Sequence, residues 1–170
     1  MSEGRMATIK QKLCDLIKEA CLEYSVDITV LQDWTFPLYK AKFPLATVRV
    51  GTSSIVNPIY GRFTGREILW ARERGDFVFF TFSIHIFAKH DETAVLKAKT
   101  AQDIAMMIYK YFLTHSYQPD AGMLDIFNVT MRESEPATGG TLRLSRVIME
   151  GIILAFRPVP IENGGGGSIA

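Results

Sequence analysis

Between Phe77 and His90 the chain alternates almost perfectly. Val78, Phe80, Phe82, Ile84, Ile86 and Ala88 hold the even positions, and Thr81, Ser83, His85 and Lys89 fall on the odd ones. A period of two sustained over this length predicts a strand with one buried face. The period then changes. After Asp91, Glu92 and Thr93, which offer a cap and two carboxylates where a helix N-terminus favours negative charge, Ala94, Ala98, Ala101, Ala105, Ile108 and Phe112 recur every three or four residues. They predict one apolar face of a helix of about five turns. The two apolar faces are expected to pack on each other and form the core, with the rest of the chain covering it.

The flanking segments carry weaker versions of the same two periods. Ile9, Leu13, Leu16, Ile17, Ala20 and Tyr24 mark a first helix from about Thr8 to Tyr24, with Thr8 and Gln11 at capping-box spacing. Val26 to Leu31 is β-branched enough for a short strand before Pro37, and Leu45 to Val50, ended by Gly51, is a stronger one. Gly51 to Gly65 mixes turn residues with Ile55, Val56, Ile59, Tyr60 and Phe63, so it reads as an ordered loop with apolar anchors. Glu67 to Ala71 leads through Arg72-Glu73-Arg74-Gly75-Asp76 into the central strand, and two strand-like runs around that short polar segment read as a β-hairpin, with Gly75 available for positive φ. The Arg74-Gly75-Asp76 spelling of an adhesion motif is read as part of that turn.

Thr114 to Gly122 is a polar connection, Asp125 to Arg132 a strand with imperfect alternation, and Glu133 to Thr141 a loop. The last strand runs from Leu142 to Arg157. Its second half, Gly151 to Phe156, is apolar on both sides, which places it centrally in a sheet or against another subunit. The order predicts one α+β domain over residues 1–160, with a mainly antiparallel sheet and two principal helices packed on one face. Residues 161–170, with glycine at 164 through 167, read as a flexible tail.

At 170 residues and 48% hydrophobic, with eleven Phe, the chain has material for one substantial core. A formal net charge of +1 gives no global field toward nucleic acid or an anionic membrane, so any basic site must be local. Met1 to Arg5 has no apolar signal core, and no apolar run reaches the roughly 18 residues of a membrane helix. A soluble protein, intracellular where it is made, is expected. Cys14 and Cys21 lie seven helical residues apart, roughly 10 Å along the axis, too far to bridge. With His85, His90 and His115 they follow no zinc spacing, so they read as free thiols, and neither metal nor cofactor is expected.

Catalytic motifs are scarce. Ser83 and His85 share a strand face, but side chains two apart on a strand stand roughly 7 Å from each other and no nucleophile elbow surrounds the serine. His90 and Asp91 are explained by a strand end beside a helix cap. The stretch Gly61 to Arg66 lacks the ending of a phosphate loop. Arg62, Arg66, Arg72 and Arg74, interleaved with Tyr60, Phe63 and Trp70, form a local basic segment that suits either a solvated hairpin or an anionic partner.

The segment Asp125 to Pro158 resembles the tail terminator and minor tail proteins of long-tailed bacteriophages. The resemblance rests on Val129-Thr130-Met131-Arg132-Glu133-Ser134-Glu135, the Gly139-Gly140 loop and the closing strand. The order of elements over residues 5–158 resembles theirs as well, while Phe36 to Gly65 finds no counterpart. The resemblance implies a non-enzymatic virion protein: a homo-oligomeric ring, expected to be hexameric, that caps the tail tube and joins tail to head. Its partners would be its own copies, the tail tube protein and a head-tail connector, with DNA passing nearby and no membrane. It would reside in the virion tail after assembly in the host cytoplasm. Arg62, Arg66, Arg72 and Arg74, and Glu133, Glu135, Gly139 and Gly140, are then the candidate contact residues. Two alternatives remain, another head-tail joining or tube-like subunit, and a small ligand-binding domain or enzyme using the polar strand face around His85.

Overall fold

The computed structural model describes residues 2–33, 40–52, 75–89, 100–134 and 144–158. Along the chain come α1 (Ser2–Glu23), β1 (Thr29–Gln32), β2 (Leu45–Thr52), β3 (Gly75–Lys89), α2 (Ala101–His115), a 3-10 turn (Pro119–Ala121), β4 (Met123–Ser134) and β5 (Leu144–Pro158). The strands form one sheet in the order β1-β2-β3-β5-β4. β1 runs parallel to β2, and every other neighbouring pair is antiparallel. The fold is α+β, with a mostly antiparallel mixed sheet.

The alternation at β3 decides which face is buried. Phe80, Phe82, Ile84, Ile86 and Ala88 point to the same side as Ala46, Val48 and Val50 of β2 and Val147, Met149, Ile153 and Ala155 of β5. Against them lie Ile9, Leu13, Leu16, Ile17 and Ala20 of α1 and Ile104, Ala105, Ile108 and Phe112 of α2. Both helices therefore cover one face. Each of the large aliphatic side chains, taken fully out of water, contributes about 1.5–3 kcal/mol. Phe82 and Phe112 meet edge to face at 6.2 Å, joining the sheet to α2. α1 is tied down at its polar edge by Lys10 to Asp33 at 2.6 Å and Lys12 to Asp120 at 2.8 Å.

Several boundaries differ from those the sequence predicts. α1 starts at Ser2, so Thr8 is inside the helix, where its hydroxyl donates to the Gly4 carbonyl at 2.9 Å, and Gln11 donates to Asp15 instead of completing a capping box. Residues 2–7 contain no proline to stop the helix, which extends N-terminally through them. Tyr24 lies beyond the helix end and is exposed, because Ser25 turns the chain at φ 56°. β1 begins at Thr29, three residues later than the β-branched run suggests.

α2 begins at Ala101, with a capping box between Thr100 and Asp103. Its start therefore differs from the one expected after Asp91 to Thr93, a segment that lies outside the described residues together with Ala94 and Ala98. Gly75 is no turn residue. It opens β3 and pairs with Pro158. The stretch Gly151 to Phe156 does lie in a central strand, flanked by β3 and β4, with Ile153 and Ala155 in the core and Ile152 and Leu154 half-buried on the other face. Cys14 and Cys21 are both buried and are not joined in a disulfide, and burial pushes the Cys14 thiol up to about 11. Among the described residues, no helix is long and apolar enough to cross a membrane.

Candidate functional site

The face of the sheet opposite the helices carries the polar chemistry. Antiparallel partners share a face, so the ladder places Arg49 (β2), Ser83 (β3), Glu150 (β5) and Thr130 (β4) in one row across the strands. The next row holds Thr47, His85, Ile148 and Arg132, and the one beyond it Leu45, Phe87, Arg146 and Ser134. On the other side of the first row lie Gly51, Thr81, Ile152 and Phe127. A groove of about 540 Å³ runs over the first of these rows, between Arg49 and Thr130 with Ser83 and Glu150 on its floor.

β4 reaches this face through a bulge. Its register shifts between Phe127 and Thr130, with Asn128 at φ 52°. A short polar side chain tolerates that left-handed conformation, and the extra residue resets which side chains face out. Thus Ile126, Val129 and Met131 all pack toward the core, while Phe127 and Thr130 face away. The imperfect alternation of this strand in the sequence has that bulge as its cause.

Electrostatically the face is led by arginine. Arg146 Nη2 donates to His85 Nδ1 at 2.9 Å, so the imidazole carries its own hydrogen on Nε2. Burial lowers the His85 pKa below its ordinary value; Arg146 and Arg49 lower it further, Glu150 opposes them, and Arg132 adds to the lowering. The Arg146 guanidinium lies 5.7 Å from the centre of the Phe87 ring, and its Nε is buried with no hydrogen-bond partner. Arg132 and Glu150 approach only to 3.7 Å with both side chains largely in solvent, a contact worth little by itself.

Ser83 and His85 do share this face, as their spacing predicts, yet the imidazole's Nδ1 is engaged by Arg146. A base acting on Ser83 would have to use Nε2, and no hydrogen bond between the two side chains is present. Glu133 is exposed near the end of β4, on the helix side of the sheet opposite Val147. Arg62, Arg66, Arg72, Arg74, Glu135, Gly139 and Gly140 lie outside the described residues, as do His90 and Asp91. Among the described residues, no three His, Cys, Asp or Glu side chains converge in a group able to hold a metal ion.

Arg49, Arg132, Arg146 and Glu150 were not among the candidate residues of the sequence. Their signal was nevertheless present. Arg146 and Glu150 occupy positions of β5 whose same-face neighbours, Leu144, Ile148 and Ile152, are all apolar. No protein-family model matches the chain, and no curated protein matches it.

Proposed function

We propose that this protein is a structural virion subunit, a tail terminator that closes into a ring, caps the tail tube and joins tail to head. The reading starts from the resemblance of residues 125–158 to tail terminator and minor tail proteins. The observation that supports it is that, among the described residues, the sheet ends in two unlike edges: β1, four residues long and parallel to its neighbour, and β4, twelve residues long and bulged. Strand edges carry unpaired backbone groups that another chain can complete. Joining unlike edges is a heterologous contact, and heterologous contacts close into rings when the rotation permits.

In this reading the protein works through surfaces. Six copies form the ring, the tube protein and the head connector occupy its two ends, and assembly takes place in the host cytoplasm before the subunit becomes part of the virion tail. Native mass measured over a range of concentrations, with electron microscopy of any large species, tests it. A closed ring at six times 19.1 kDa is the expected result. A protein that stays monomeric both alone and on purified tail tubes would sink the proposal.

A further inference from the structure

Among the described residues, the face of the sheet opposite the helices has more charged donors than acceptors. Arg49, Arg132 and Arg146 reach it from three different strands, with Glu150 as the carboxylate between them. Arg49 is exposed, and Arg132 is largely so despite its 3.7 Å approach to Glu150, so both guanidinium groups are accessible to a partner. Arg146 donates to His85 and holds a further N–H buried without an acceptor. A ligand that supplies acceptors to Arg49 and Arg132 is, in charge terms, anionic.

Beside this cationic row lies an apolar one. Phe79, Phe127, Ile152 and Leu154 are half-buried neighbours on the same face, and Ile152 among them lines the groove. The two halves together define the partner. A phosphate backbone follows a continuous cationic track, and Glu150 interrupts the one between Arg49 and Arg132, which stand across strands spanning roughly 14 Å. Single-stranded bases stack on open aromatic faces, whereas Phe79 and Phe127 meet edge to face at 6.1 Å and 79°. A protein segment with carboxylates next to an apolar side chain satisfies both rows.

We propose that the β2-β3-β5-β4 face opposite the helices is a docking surface for an acidic protein segment, whose carboxylates meet Arg49 and Arg132 and whose apolar side chain covers Phe127 and Ile152. This goes beyond the ring reading and does not rest on it. Salt-sensitive binding follows, because both arginines are solvent-facing.

The test uses full-length protein and three probes: a random glutamate–tyrosine copolymer, polyglutamate, and single-stranded oligo(dT). Binding is read by fluorescence anisotropy for the native protein, for Arg49→Glu/Arg132→Glu, and for Lys18→Glu/Lys110→Glu. The last pair is exposed on the helices and changes net charge equally. The copolymer is expected to bind the native protein more tightly than polyglutamate does, to weaken about tenfold or more with the arginine variant, and to be unaffected by the lysine variant.

Absence of copolymer binding overturns the proposal, as does equal weakening by both variants, which would reduce the effect to net charge. Oligo(dT) binding as tightly as the copolymer and lost in the arginine variant would make the face a nucleic-acid surface and overturn it too. So would a fall in native mass confined to the arginine variant, which would make the occupant a second copy. A ring that binds no copolymer removes this inference alone, and a protein that binds it yet stays monomeric both alone and on purified tail tubes removes the ring alone.

Discussion

Gly151 is the residue at which a single added atom has the clearest consequence. A Cβ built there would stand 2.6 Å from Cζ and 2.7 Å from Cε1 of Phe82, and 3.2 Å from the Phe127 carbonyl oxygen. Phe82 cannot swing away freely, because its ring packs edge to face on Phe112 inside the core. Gly151→Ala is therefore expected to lower unfolding free energy by about 1–3 kcal/mol through overpacking, read by denaturant melts. An unchanged midpoint would show that the ring has room to move. His85 supplies a second residue-level expectation. Its folded-state pKa is depressed, first by burial and then by Arg146 and Arg49, so the unfolded chain takes up the proton more readily. Its contribution to stability is fully present above the ordinary histidine value of 6.5 and is lost as pH falls below it, toward and through the lowered folded value. Melting temperatures compared between pH 8 and pH 5 should fall less for His85→Gln than for the native protein, and equal falls would exclude His85 as a source.

At the scale of elements, α2 is held by its N-terminus as much as by its apolar stripe. Thr100 accepts from the Asp103 backbone N–H at 3.2 Å, while the Asp103 carboxylate accepts from the Thr100 backbone N–H at 3.0 Å. The Ala101 N–H donates to the Ser145 hydroxyl, which donates in turn to the Ala88 carbonyl, so the helix start is tied to both central strands. Thr100→Ala should cost about 0.5–2 kcal/mol, measured by chemical denaturation, with Thr100→Ser recovering most of it. The longest pairing in the sheet joins the two central strands. β3 and β5 pair over their whole length, from Gly75 with Pro158 to Lys89 with Leu144. The bulged edge strand β4 hangs on that pair and carries Arg132 and Thr130 to the open face.

For the whole molecule, one layer of helices on one face of the sheet leaves, among the described residues, two kinds of surface for assembly: the strand edges and the helix-free face. If copies join through unlike edges, blocking one edge in one copy and the other edge in a second copy restricts a mixture to pairs. Leu31→Lys on β1 and Thr130→Lys on β4 place a charge on each edge. Each variant alone is expected to run at 19.1 kDa, and an equimolar mixture at twice that mass, by native mass spectrometry. Rings persisting in either variant would show that the edges are not the joint.

Period-two and period-3.6 patterns are local properties, and they alone determined much of this protein. The alternation of β3, the stripe Ile9, Leu13, Leu16 and Ile17 in α1, and the separation of Cys14 from Cys21 are all present in the structure, because each depends on side-chain direction along a single element. The α+β class followed from the order of those elements. The capping box of Thr100 with Asp103 is a local signal as well, whereas the parallel pairing of β1 with β2 and the bulge at Asn128 required the neighbouring strands to be in place. The polar face lies furthest from sequence-level reasoning. Arg49, His85, Arg132 and Arg146 are scattered over four strands, and their mutual charge acquires meaning only when the register 49 to 83, 83 to 150 and 150 to 130 lays those strands side by side. Hydrophobic periodicity reports which face of a strand is buried; which residues meet on the other face is decided by strand order and register, and those are set by the packed core.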